Sequence, residues 1–237
     1  MTVTLIGNSL TAGNLGIPYA RYLNFPENAH VVNRGRDGDT VRGVRARMDE
    51  VLRSDGPDVL VVQTGANDIL LPEMAARGGT WTAFVDEMAE HGSVPTPDPS
   101  KFGAAYKEIL DIAFSWGVEH VVAVTIPPLG EDLASQRNRE RKNLNDQIRM
   151  AADTGGARLA DVAAAFESEL AEVGVPSEWF FGKPADFVSD VRRVRREKGA
   201  AAISEERGLY FTMDGAHLNE RGAALMGRIV SDAVLGR

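Results

Sequence analysis

The strongest constraint in this sequence is an alternation. Five short apolar runs rich in Val and Ile, at residues 3–6, 30–32, 58–63, 120–126 and 157–162, are separated by stretches of helical periodicity. The stretch 40–53 places Val41, Val44, Met48, Val51 and Leu52 on one helical face, and 102–116 does the same with Tyr106, Ile109, Leu110 and Ala113. Two more helices are predicted at about 133–152 and 219–235, the second with Asn219 as N-cap. Buried strands alternating with helices predict a parallel sheet covered on both faces, joined by right-handed crossovers. The expected fold class is therefore α/β, a three-layer α/β/α sandwich around a five-stranded parallel sheet.

Composition narrows what such a sandwich can do. The 237 residues, 43% hydrophobic and 25% charged, suit a single domain spanning 1–237. A formal net charge of −8 argues against nucleic acid, whose binding draws on Lys and Arg displacing phosphate counterions. The chain has no cysteine, which removes disulfides, thiolate metal sites and a cysteine nucleophile. Its four histidines, His30, His91, His120 and His217, lack the spacing that places two metal ligands on one helical turn, so no metal is expected. The first residues run directly into an apolar strand without a signal-peptide pattern, and no apolar run approaches the ~18 residues needed to cross a bilayer. The expectation is a cytoplasmic protein without membrane insertion; oligomeric state is not legible.

In open parallel sheets, ligands bind beyond the carboxyl ends of the strands, where strand order reverses. Residues 7–16, 33–40 and 64–70 follow the first three strands and are rich in Gly, Asn, Asp and Ser. Two stretches, 72–100 and 174–212, exceed a minimal sandwich and are read as insertions that shape a substrate pocket. Trp81, Trp179, Phe180 and Phe181 in them fit either pocket walls or packing onto the sandwich. The basic cluster Arg192, Arg193, Arg195, Arg196 and Lys198 reads as a solvated helix face.

Ser9 sits on the turn leaving the first strand. A serine hydroxyl needs a positioned base to become a nucleophile, so alone it reads as a turn residue or helix cap. Asp214-Gly215-Ala216-His217, near the other terminus, offers that base: a spacing of three lets Asp214 hold the imidazole Nδ1 and leaves Nε2 free for the serine proton. Acyl transfer also needs donors for a developing oxyanion. The Gly38 amide, unshielded by a side chain, and the Asn67 side-chain amide stand at the two neighbouring strand ends. Each motif alone is unremarked turn chemistry, but together and in this order they point to a serine hydrolase. Neither Gly-x-x-x-x-Gly-Lys-[Ser/Thr] nor Gly-x-Gly-x-x-Gly occurs, and no cofactor is expected.

With Gly7-Asn8-Ser9-Leu10, Gly38, Gly65-Ala66-Asn67-Asp68 and Asp214-x-x-His217, the chain resembles the SGNH hydrolase superfamily, the GDSL esterases and lipases, over residues 5–219. The resemblance implies a flavodoxin-like sandwich, a catalytic set of Ser9, Asp214 and His217, and an oxyanion hole of Ser9, Gly38 and Asn67. It implies a small-molecule ester substrate, with short acyl or acetyl groups expected. Asn8 departs from the family pattern, where the name implies Asp. Carbohydrate O-deacetylase, lysophospholipase, thioesterase and acyltransferase activities stay open, as does a non-catalytic binding domain on the same fold. For the esterase, activity is expected to fall as pH drops through the His217 pKa, about 6.5 if unperturbed.

Overall fold

The structure, a computed structural model, describes residues 1–174, 177–194 and 199–237. Five strands, β1 (Thr2–Gly7), β2 (His30–Gly35), β3 (Val59–Gln63), β4 (His120–Val124) and β5 (Arg158–Ala160), form one sheet in the order β2-β1-β3-β4-β5. Every pairing is parallel. The helices are α1 (Ser9–Ala12), α2 (Val41–Ala46), α3 (Met48–Asp55), α4 (Ala66–Ala76), α5 (Thr80–Glu90), α6 (Pro99–Ser115), α7 (Gln136–Gly155), α8 (Val162–Val173), α9 (Pro184–Val194), α10 (Gly199–Arg207) and α11 (Glu220–Leu235).

Alternation along the strands sends side chains to two cores. Ile6, Leu60, Val62, Val121 and Ala123 pack under α2, α3, α4, α6 and α7. Val3, Leu5, Val59, Val61, Val122 and Val124 face the opposite side, under α8 and α11. This is the expected three-layer sandwich, and its 2-1-3-4-5 order is flavodoxin-like. The chain runs from β1 outward to β2 and returns to β3 on the other flank, so the strand order reverses beside the carboxyl end of β1.

Several details differ from the sequence reading. β2 is an edge strand, longer than expected and largely exposed, rather than a buried one. The stretch 40–53 is not one helix: it breaks at Arg47, whose backbone (φ −107°, ψ 5°) leaves helical geometry between α2 and α3. The stretch 72–100 holds the end of α4, with Pro72 inside it, and all of α5. In the basic cluster, Arg192 is exposed and Arg193 pairs with Glu206 at 2.6 Å, while Arg195, Arg196 and Lys198 lie outside the described residues. Among the described residues no helix is long and apolar enough to cross a membrane.

Candidate active site

The exit of β1 is built for close approach. A Cβ on Gly7 would fall 2.2 Å from the Gln63 carbonyl oxygen and 2.5 Å from Thr11 Oγ1, so only glycine lets the strand turn there against β3. Asn8 is fully buried, and its Oδ1 accepts from the Leu10 N–H at 3.0 Å, capping α1. The cap needs only an acceptor, which Asn supplies as well as Asp. Its Nδ2, however, is buried with no hydrogen-bond partner among the described residues. Ser9 is thereby the first residue of a helix, where backbone N–H groups have no intrahelical acceptor.

The other terminus supplies the imidazole. Thr212 and Leu218 form an antiparallel bridge, and Met213 N–H donates to the His217 carbonyl at 2.9 Å, closing a tight loop ahead of α11. Asn219 caps that helix through the Gly222 N–H at 3.0 Å. Inside the loop, Asp214 Oδ1 accepts from the Ala216 and His217 backbone N–H groups at 2.9 and 2.6 Å. Its Oδ2 lies 2.6 Å from His217 Nδ1. His217 Nε2 stands 3.1 Å from Ser9 Oγ.

Burial works against charge on both partners, but their attraction prevails. Desolvation raises the Asp214 pKa, and the His217 charge and hydrogen bonds outweigh it to leave the carboxyl below its ordinary value. Desolvation lowers the His217 pKa, and Asp214, helped by Asp37 and Asp190, outweighs it to leave the imidazole above 6.5. The imidazole thus sits above its unperturbed value.

Gly38 and Asn67 converge on the same place. Gly38 has φ +76°, and Met88 packs so closely on it that an added Cβ would fall 1.8 Å from the methionine methyl. Asn67 Nδ2 donates to the Asp39 carbonyl at 2.9 Å, which uses one of its two amide hydrogens and fixes the orientation of the other. Ser9, Gly38, Asn67 and His217 all line one pocket of about 230 Å³. Its remaining walls are mostly apolar, from Leu15 through Leu70, Leu71, Met74, Phe84 and Met88 to Leu129 and Phe181. Residues of both irregular stretches thus reach the pocket. Of the four aromatic residues singled out from sequence, Phe181 lines it, whereas Trp81 packs on Phe84 and Phe181, Trp179 under Arg207 and Phe180 under Arg137.

Three charged residues that sequence reasoning did not single out hold this arrangement together. Arg47 donates to the Gly7 and Arg34 carbonyls, at 3.1 and 2.6 Å, and pairs with Asp39 at 2.7 Å. It thus ties the ends of β1 and β2 to the segment carrying Gly38. Asp68 accepts from the Val41 and Thr96 N–H groups at 3.0 and 2.8 Å, and burial pushes its pKa up to about 7. Glu131, after β4, accepts from the Tyr210, Phe211 and Thr212 N–H groups at 2.7, 2.7 and 3.2 Å, anchoring the approach to Asp214. Among the described residues no group of three or more His, Asp or Glu is placed to hold a metal ion.

A parallel sandwich with a serine, an imidazole and a carboxylate joined at its switch point defines a class, the ester hydrolases of SGNH type. The chain belongs to the GDSL-like lipase/acylhydrolase family, matching it over residues 5–225, and is an ester-hydrolysing enzyme. Solved structures share the fold across nearly the whole chain. An acetylxylan esterase from Geobacillus stearothermophilus is 18% identical with a TM-score of 0.61, covering 99% of this chain and 92% of the other. A catalytic variant of that esterase gives 0.66 at 17% identity, covering 98% and 93%. An alpha/beta hydrolase enzyme from the metagenome of Lake Arreo, Spain, gives 0.59 at 17% identity, covering 99% and 93%. No curated protein sequence gives a significant match.

Proposed function

We propose that this protein is a serine esterase that hydrolyses carboxylic esters through an acyl-enzyme on Ser9. The observation that carries the reading is the continuous line from Ser9 Oγ through both imidazole nitrogens to Asp214, with contacts of 3.1 and 2.6 Å. In the first half-reaction His217 Nε2 takes the Ser9 proton while Oγ bonds to the acyl carbon and the carbonyl electrons move onto oxygen. The Ser9 and Gly38 amides and the Asn67 side chain receive that oxyanion. The intermediate collapses, the C–O bond to the alcohol breaks, and the alkoxide leaves with the proton from Nε2. Water then repeats the sequence on the acyl-enzyme, Nε2 taking its proton, and the acid departs with Ser9 restored. Asp214 keeps the imidazole in the tautomer with Nδ1 protonated and stabilises the imidazolium.

The substrate is a small-molecule ester with a short acyl group. The related folds include esterases acting on acetylated xylan, but at under 20% identity their substrate is not carried over. Steady-state hydrolysis of a simple ester tests the reading. Ser9→Ala, at unchanged thermal stability, is expected to lower kcat on the order of a million-fold, the loss seen when a nucleophile acting in concert with its base is removed. A variant that kept a substantial fraction of the activity would overturn it.

A further inference from the structure

We infer that the acyl site selects a compact apolar acyl group of about five to eight carbons, aliphatic or phenyl-bearing, and uses acetyl esters poorly. The inference rests on the esterase reading and adds which side of the ester the cavity holds. The alcohol oxygen must face His217 Nε2, from which it takes its proton. Much of the apolar wall is carried by the elements that hold the oxyanion donors. Leu70, Leu71 and Met74 follow Asn67 on α4, within two turns, and Met88 of α5 packs directly on Gly38. The donors for the carbonyl oxygen and the apolar surface are therefore one continuous structure, completed by Phe84 and Phe181. The group attached to the carbonyl carbon meets that surface.

Size then sets the range. An apolar cavity of about 150 Å³ holds benzene, or about 25 Å³ per carbon. At that density, the 230 Å³ beside Ser9 holds about nine carbons, the carbonyl carbon and part of the alcohol included. An acetyl group would leave most of the cavity unfilled and would gain little apolar burial. Each methylene added within the cavity is expected to raise kcat/KM about three- to fourfold, until the wall is reached.

The test uses methyl esters of straight-chain acids from acetate to dodecanoate, with methyl phenylacetate, followed by alkali titration so that no aromatic alcohol competes for the cavity. A parallel series of acetate esters with lengthening alcohols reports the other side. The expected result is a kcat/KM at hexanoate on the order of a hundredfold above acetate, an optimum at hexanoate or octanoate, a fall by dodecanoate, and a shallow alcohol series. Met88→Trp is expected to lower the hexanoate-to-acetate ratio at least tenfold, and Phe84→Ala to move the optimum to longer chains. Activity that peaks at acetate, or that climbs with alcohol rather than acyl length, overturns the inference and leaves the esterase reading standing. A chain-length profile unmoved by both substitutions also overturns it. No hydrolysis of any ester by folded protein contradicts the esterase reading itself, and the acyl inference with it.

Discussion

Arg47 and Asp39 are joined at 2.7 Å in the interior, with 10% and 3% of their side chains exposed, eight residues apart at opposite ends of α2. Burial raises the Asp39 pKa and lowers that of Arg47, in each case against the pull of the partner. The pair is thus held at a desolvation cost, and what it gains is position: the same guanidinium grips the Gly7 and Arg34 carbonyls. Removing one member leaves the other charge buried and alone. Arg47→Met is expected to destabilise the fold by about 3 kcal/mol in urea unfolding. The double variant Asp39→Asn/Arg47→Met is expected to recover part of that loss; additive losses would contradict the account.

On the proposed mechanism, the imidazole pKa governs the acid limb of the reaction. His217 must be neutral to accept the serine proton, and its pKa is held above 6.5 chiefly because Asp214 outweighs desolvation. Activity is therefore lost as pH falls, with the kcat/KM midpoint above 6.5. Asp214→Asn removes the charge that raises it and presents an amide N–H to Nδ1. The limb is expected to move to lower pH and kcat to drop about ten-thousandfold, the effect of the wrong tautomer in a serine protease triad. A pH profile unchanged by the substitution would count against Asp214 as the partner that sets it.

Asn67 is expected to act on the transition state rather than on binding. Asn67→Ala should lower kcat by about a hundred- to a thousandfold with KM little changed, which is the loss of one oxyanion donor. Because Asn67 also donates to the Asp39 carbonyl, thermal unfolding should be measured alongside. A rise in KM at constant kcat would assign it to ground-state binding instead.

Asp68 couples stability to pH. Its folded pKa of about 7 lies above an unfolded carboxyl of about 3.9. The native state binds this proton more tightly, so the stability it contributes is present below pH 4 and is lost as pH rises towards 7. The melting temperature of wild type relative to Asp68→Asn is expected to fall across that window. A difference that stays constant with pH would show that the carboxyl ionises alike in both states.

The parts legible in the sequence were those encoded locally. The strands announce themselves by Val and Ile runs, the α11 cap by Asn219, and the Asp-His pair by its spacing of three. What escaped depends on distant partners. The break at Arg47 comes from a side chain bonded to Gly7, Arg34 and Asp39, while the apolar spacing around it continues unbroken. Glu131 follows Pro127 and Pro128 in a segment that reads as plain loop, and the three amides it holds lie about eighty residues on. The helix α5 was masked by the prolines of its stretch, three of which, Pro95, Pro97 and Pro99, fall beyond its end. The apolar cavity, contributed by separate segments as far apart as Leu15 and Phe181, has no linear signature at all.

Incubation with a fluorophosphonate, followed by peptide mass mapping, reads out the activation of Ser9 itself, since the reagent bonds only to a serine whose proton is removed as it reacts. The expected result is a single adduct on Ser9, absent in Ser9→Ala and formed far more slowly in His217→Ala. Folded wild-type protein that stays unlabelled, or that carries the adduct on a different serine, would contradict it.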